Sequence, residues 1–363
     1  MSEHTGISFR SLRSEAWRNL ASRTTRAVLF GSIWFAVVGG SFLWDSAITA
    51  DLARAADTYQ RSGSSTLIVE AEGRIDGSQC ESMAELPNVR AAGAIRTARL
   101  PLTPAATPGV ELPTFDATPR LTRVLMGQDS HSNGVFLSAQ VADAFGLTVL
   151  EPLVLQDRAV TVAGIFNFPD DGRRGELGYS ALQTVPAAGS FDQCWVVVWP
   201  ESDRVRSLLS SSVMVGEDLR QNPSVVSQLN SSLGATFDGE SLYRSRPTAF
   251  LGYAVGATAF GLGLVAVRLR KLELAAARSI GMRPAAQACQ LLLESGAWLG
   301  CASILTLATS VVVAGWLGVG VGASVVQYAV LTIGAGVLGS LAGVLLGVAT
   351  INSARALAYF RDR

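Results

Sequence analysis

Residues able to do chemistry are few in this chain and poorly placed for it. The two histidines are His4 and His131. Neither sits in an H-E-x-x-H or H-x-E arrangement, so a zinc hydrolase would lack its ligands. His131 is the candidate base for a serine triad, but it stands in "GQDSHSNG", which has the composition of a solvated turn. Asp170 and Asp171, in "NFPDDGRRGE", could offer a carboxylate pair to a cation. Adjacent residues on a turn more often both face water. A phosphate-binding loop G-x-x-x-x-G-K-[ST] needs a lysine followed by a hydroxyl residue. The one lysine is Lys271, and Leu272 follows it. The chain is therefore expected not to be an enzyme. Any nucleotide energy must come from a partner.

That lysine belongs to a segment that calls for an explanation of its own. "RLRKLELAAARSIGMRP", Arg268 to Pro284, carries four arginines beside Lys271 and lies between two long apolar stretches. The spacing predicts a helix from Arg268 to Ile280. Leu269, Leu272, Ala276 and Ile280 would form one apolar stripe, with Lys271, Leu274 and Arg278 opposite. Arg270 and Glu273 are spaced to pair. Gly281 suits the helix terminus, and Pro284 suits the first turn of the next helix. The pattern allows either an elbow between membrane spans or a docking helix.

The elements around this segment are membrane spans. With 49% hydrophobic and 16% charged residues, and a mean hydropathy of +0.33, the chain is too apolar for a soluble domain of 363 residues. A bilayer core needs about 20 apolar helical residues. Ala27–Trp44 and Thr248–Val267 qualify, and Ser295–Ala354 contains no charge at all. The last stretch is long enough for two spans turning at "GWLGVGVGAS". The expected fold is an α-helical membrane protein with four transmembrane helices and one large α+β extracytoplasmic domain inserted between spans one and two.

The expected layout follows from these stretches. Residues 1–26 form an N-terminal interfacial helix, 27–46 span one, and 47–246 the α+β domain with a stalk helix. Residues 247–267 form span two and 268–294 the charged helix and elbow. Spans three and four cover 295–316 and 325–352, and 353–363 is a tail. Arginines gather at 10, 13, 18, 23 and 26, again at 268, 270, 278 and 283 with Lys271, and finally at 355, 361 and 363. If every span crosses, all three groups fall on one side, which places both termini in the cytoplasm of a cell membrane. Cys80 and Cys194 then lie outside, where a disulfide is possible, as are two free buried thiols.

Within the outer region, "STLIVEAEG" and "QCWVVVWP" read as buried strands, and "PLVLQDRAVTVAGIF" as two strands joined at Gln156-Asp157-Arg158. "FLSAQVADAFGL" reads as a strand end and a short helix, with Ser138 as a possible N-cap and Gly146 closing it. "DSAITADLARAADTYQRSG" continues span one as a stalk. Small residues at four-residue spacing, Gly252 and Gly256 in span two and Gly339, Gly343 and Gly347 in span four, offer close helix packing. Glycine is 36 of 363 residues, so several such hits arise by chance.

The segment "RLRKLELAAARSIGM…LLLESGAWLG" resembles the cytoplasmic motif of FtsX-like ABC permeases of the MacB type. The matching residues are Arg270, Glu273, Leu274, Arg278, Ser279, Ile280, Gly281, Glu294 and Ser295. "AWRNLASRTTRAVL" is similar to the family's opening motif at Ala16, Asn19, Leu20 and Arg26. "GVFLSAQVADAFGLTVLEPLVLQDRAVTVAGIF" resembles a stretch of its ectodomain, with Glu151 and Pro152 standing where the family shows Gly-Asp. The resemblance implies a dimeric permease, paired with an identical copy or a paralogue, that binds a separate P-loop ATPase holding ATP and magnesium. It implies ATPase coupling through Arg270, Lys271, Glu273, Leu274, Arg278, Ile280, Gly281 and Arg283. It further implies mechanotransmission to the outer face, for export or extraction of a peptide, antibiotic or lipid-linked substrate. No cofactor in this chain, no metal and no nucleic acid is expected. Two other readings stay open: a transducer regulating a cell-wall hydrolase, and a membrane-anchored binding module without an ATPase.

Overall fold

A computed structural model of the chain describes residues 9–22, 26–128, 134–214, 224–316 and 323–351. His4, His131, the turn after span three and the arginines of the C-terminal tail lie outside these residues. The chain divides into two compact units, one of residues 1–53 with 240–363 and one of residues 54–239.

The first unit is helical. It contains α1 (Phe9–Ala21), most of α2 (Ala27–Arg61), α7 (Gly239–Arg244) save its first residue, α8 (Leu251–Arg268), α9 (Lys271–Ser279), α10 (Pro284–Trp316) and α11 (Ala323–Ala349). Among the described residues, four stretches are long and apolar enough to cross a membrane: Ala27–Arg61, Pro247–Arg268, Pro284–Trp316 and Val326–Ala349. Pro247 opens a short 3-10 turn, Pro247–Phe250, that leads into α8. There a missing N–H costs nothing, because the first turn's donors have no intrahelical partner.

Helices α8 and α11 approach backbone to backbone, and glycine permits it. A Cβ at Gly343 would lie 2.0 Å from the Phe260 carbonyl oxygen, and one at Gly339 2.3 Å from that of Gly256. From the α8 side, a Cβ at Gly263 would meet the Ser340 oxygen at 2.1 Å. Ser340 Oγ also donates to the Ala259 carbonyl across the pair, at 3.2 Å. Gly252 takes no part, since a Cβ there would meet nothing within 4 Å. Helix α2 meets the bundle through large side chains instead. Phe30, Trp34 and Val38 are buried among Val255, Ala259, Trp298 and Ala302.

The second unit is a mixed sheet with short helices, among them α4 (Leu121–Met126) and α6 (Asp203–Ser211). Its strands are β1 (Thr66–Asp76), β2 (Val89–Thr97), β3 (Thr114–Ala117), β4 (Val135–Ser138), β5 (Pro152–Val154), β6 (Ala159–Phe166), β7 (Ala181–Thr184), β8 (Ser190–Val198) and β9 (Val225–Gln228). They lie in the order β5-β6-β4-β7-β3-β2-β8-β1-β9. Pairs β3/β7 and β4/β6 are parallel, and the others antiparallel. Central strands carry apolar residues on both faces, which explains their continuous hydrophobic runs. In β1 and β8, Leu67, Val69, Cys194 and Val196 enter one core, while Ile68 and Trp195 enter another.

A helix α3 (Gly77–Ser82) follows β1, with Asp76 accepting from the N–H groups of Ser78 and Gln79. It brings Cys80 to Cys194 of β8, and the two form a buried disulfide with Cα atoms 5.8 Å apart. Helix α5 (Ala139–Phe145) is capped by Ser138 and closed by Gly146 at φ 64°. Between α5 and β5, a turn at Thr148–Glu151 puts Leu150 at φ 74°, with its side chain 77% exposed. That left-handed position is one residue earlier than the Gly-Asp site of the family pattern assigned to Glu151 and Pro152. In the turn after β6, Asp171 accepts from Arg173 Nε and Nη2 at 2.8 Å each, so its charge is answered within the chain rather than offered to a cation.

Candidate functional site: helix α9 and its anchors

The charged connector is a shorter helix than its periodicity predicts. Helix α8 ends at Arg268, Leu269 and Arg270 form the bend, and α9 runs from Lys271 to Ser279. Its buried residues are Leu274 (6% exposed) and Ala275 (1%), packed with Val267, Leu291, Val344, Val348 and Ile351. The expected apolar stripe faces out: Leu269 is 57% exposed, Ile280 is 88% exposed, and Ala276 is exposed too. The opposite side takes the interior, because its two arginines must reach buried acceptors.

Arg270 is the first of these. Its Nε and Nη2 form a fork on the Glu273 carboxylate at 2.9 and 2.7 Å, and Nη1 donates to Glu294 Oε2 at 2.5 Å. Glu294, on α10, is 2% exposed. Its other oxygen accepts from Asn19 Nδ2 of α1 at 2.7 Å and from Gln290 Nε2 at 3.2 Å. A buried carboxylate is tolerable only when its lone pairs are filled in this way. Burial alone would lower the Arg270 pKa, but the hydrogen bonds and charge of Glu273 and Glu294 outweigh it and hold the guanidinium above the ordinary arginine value. Arg270 is therefore a permanent cation. Two motifs far apart in sequence, at Asn19 and at Arg270–Glu294, meet on one buried side chain.

Arg278 is the second anchor. It donates to Gln287 Oε1 at 2.8 Å, to the Val348 carbonyl at 2.7 Å, and to the Ile351 carbonyl. Val348 lies in the last turn of α11 and Ile351 just beyond it, where carbonyls point away from the helix and a cation is favoured by the helix dipole. Gln287 Nε2 in turn donates to the Leu274 carbonyl at 2.8 Å. Beyond Arg278 the helix stops. Gly281 adopts φ 103°, its N–H reaches the Arg278 carbonyl at 3.0 Å, and the Met282 N–H reaches that of Ala277 at 3.1 Å, a Schellman closure.

The residues singled out in the sequence thus divide. Arg270, Leu274 and Arg278 anchor the helix inward; Glu273 braces Arg270 from a half-exposed position, and Lys271 is half-buried. Ile280 and Arg283 face outward, and Gly281 terminates. Beside α9 lies an open cavity of about 640 Å³, lined by Glu15, Arg18 and Asn19 of α1 and by Glu273, Ala277 and Gln290. Periodicity gives no role to Asn19, to Gln287 or to the carbonyls at the end of α11 and just beyond it. The motif match at Asn19 was the available signal; nothing in the sequence pointed to the carbonyls. Among the described residues, no group of three His, Cys, Asp or Glu side chains is placed to hold a metal.

No protein-family model and no curated protein matches the chain. Among solved structures it is similar to the periplasmic region of MacB from Actinobacillus actinomycetemcomitans, at 8% identity and a TM-score of 0.34, over 46% of this chain and 91% of that one. It is also similar to the extracellular domain of the noncanonic ABC-type transporter YknZ from Gram-positive bacteria, at 12% identity and a TM-score of 0.29, over 46% of this chain and 100% of that one. These neighbours are outer domains of ABC-type transporters. Likeness at such scores carries no function by itself.

Proposed function

We propose that the chain is the permease subunit of an ABC transporter, and that α9 is its coupling helix for a separate P-loop ATPase. The observation that carries this reading is the division of α9 into two faces. One face is locked by buried ion pairs and carbonyl caps to α1, α10 and α11. The other leaves Leu269, Ala276 and Ile280 uncovered by the rest of the chain. A helix that receives force needs both a free contact face and stiff connections behind it. In this reading the charged end is cytoplasmic, ATP and magnesium are held by the partner, and two permeases, identical or paralogous, act together. The outer unit would act by mechanotransmission on a peptide, antibiotic or lipid-linked substrate.

The test is affinity purification of the tagged full-length chain from its host membranes in mild detergent, with co-purifying proteins identified by mass spectrometry. We expect a P-loop ATPase with the parent chain, and its loss with Ile280→Asp combined with Ala276→Asp. Recovery of the chain alone, under conditions that preserve a known permease–ATPase complex, would sink the proposal in favour of a membrane-anchored binding module.

A further inference from the structure

The bundle end away from α9 carries a second buried ion pair, and its position suggests a different job. Asp45 projects from α2 about 27 Å along the helix from Ala27, at 1.5 Å per residue. Arg246 stands one residue before Pro247, at the lead-in to α8. Arg246 Nε donates to Asp45 Oδ1 at 2.9 Å, with side chains only 10% and 5% exposed. The guanidinium also donates from Nη1 to the Tyr243 carbonyl at 2.8 Å and lies 3.8 Å over the Tyr243 ring. On its other side Tyr328 of α11 is 6.0 Å away, and Phe42, one turn before Asp45, packs against Tyr328 at 6.3 Å. Three elements, α2, the α8 lead-in and α11, therefore converge on one guanidinium.

The rest of the bundle explains why such a contact is useful. Helices α8 and α11 interlock through glycine, with backbone touching backbone. Helix α9 continues α8 through a two-residue bend and is capped onto α11 by Arg278. These three make one stiff body. Helix α2 meets that body through Trp34 and Val38 against Val255, Ala259 and Gly336. Apolar faces of this kind, in an apolar solvent, resist separation but set axial and rotational position weakly, because lipid tails compete for the same contacts. A buried ion pair has the opposite character. It adds little net stability against an apolar replacement, yet it has one geometry that works.

We propose that the Asp45–Arg246 pair is a registry device: it fixes the axial and rotational position of α2 against the α8–α9–α11 body. A displacement of that body is then delivered to α2 instead of being lost as slip between apolar faces. This inference does not depend on the identity of any partner of α9.

The experiment is a spin-label distance measurement on the full-length chain in lipid nanodiscs. Nitroxides are placed at Leu43→Cys on α2 and Leu338→Cys on α11, with Cys289→Ser and Cys301→Ser, and the labelled protein is diluted with unlabelled chain. With the pair intact we expect a single narrow distance distribution. Asp45→Asn and Arg246→Gln should each shift or broaden it by at least one residue's rise, about 1.5 Å. The exchanged pair, Asp45→Arg with Arg246→Asp, should narrow it again. Distributions identical to the parent in both single variants would overturn the proposal, as would an exchanged pair no narrower than the single variants. If these variants fail to insert, Arg246→Lys decides, since it keeps the charge and loses the planar donor geometry: a broadened distribution supports the device and an unchanged one refutes it.

Discussion

Glu294 gives the sharpest test of the anchoring geometry, because stability and registry can be pulled apart there. Glu294→Met removes a carboxylate that is 2% exposed and accepts from Arg270, Asn19 and Gln290. Removing one partner of a buried pair costs about 3–5 kcal/mol, most of it from the charge left behind. Arg270 keeps its fork on Glu273, so the low end of that range, about 3 kcal/mol, is the reasonable figure here. For a unit of this size about 1 kcal/mol corresponds to 2–4 °C, so the midpoint should fall by roughly 6–12 °C. Glu294→Gln keeps an acceptor for Asn19 and should cost less, about 1.5–3 kcal/mol, the worth of one hydrogen bond to a charged group.

The decisive variant is the double one. Arg270→Met with Glu294→Met removes both charges, leaves the half-exposed Glu273 without Arg270, takes the same acceptor from Asn19 and Gln290 as the single variant does, and fills the space with apolar atoms. Buried pairs replaced in this way are often neutral or better. The double variant should therefore be more stable than Glu294→Met alone, although it carries one more substitution. The assay is thermal unfolding of purified full-length chain in one detergent at one scan rate, since membrane-protein unfolding is seldom reversible. A double variant as unstable as the sum of its single changes would refute the reasoning. So would a Glu294→Met shift under about 2 °C, which would mean less than about 1 kcal/mol.

Other expectations can be checked on the same preparation. Leu150→Gly should stabilise the strand-containing unit by up to about 1 kcal/mol, the cost of a left-handed residue, partly offset by glycine's entropy. Slower amide exchange at Val162, whose N–H bonds to the Glu151 carbonyl, would report it. Gly343→Ala should sharply lower the unfolding midpoint, because its Cβ would lie 2.0 Å from a backbone oxygen; Gly252→Ala, with nothing within 4 Å, should leave it unchanged or slightly higher. Asp171 has its pKa lowered, first by its hydrogen bond from Arg173. A depressed folded value means the contribution is present above the unfolded carboxylate pKa and lost as pH falls through the folded one. Asp171→Asn should therefore lower stability modestly at neutral pH, leave the strongly acid end little changed and so flatten the profile between them, as read from unfolding midpoints across an acid titration.

Legibility followed the physics of each signal. Apolar stretches and buried strands were readable because their burial is a property of one local segment: "LIV" in β1 and "WVVV" in β8 are apolar on both faces and sit between two cores. Capping was equally local, as at Ser138 and Gly281. Polar anchoring was not, because it depends on what stands opposite. Asp45 could be placed at a span's mouth, but Arg246, 201 residues away, cannot be paired to it by spacing. The acceptors for Arg278 are backbone carbonyls, which leave no trace in residue type.

The roll of α9 turns that lesson into a last prediction. Leu269, Leu272, Ala276 and Ile280 form the apolar stripe, and burying four apolar side chains normally decides a helix's roll. Arg270 and Arg278 decide it instead. Their acceptors are already buried, and leaving a buried carboxylate or a helix end unpaired costs more than exposing an isoleucine. Two substitutions separate the faces. Leu274→Ala should lose about 2–5 kcal/mol, the cost of truncating a core leucine. Ile280→Asp should leave the unfolding midpoint where it was, because Ile280 is 88% exposed and a surface change moves stability by no more than about 0.5 kcal/mol. If Ile280→Asp proved as destabilising as Leu274→Ala, the apolar stripe would be the packed face after all, and the free contact surface assigned to α9 would not exist.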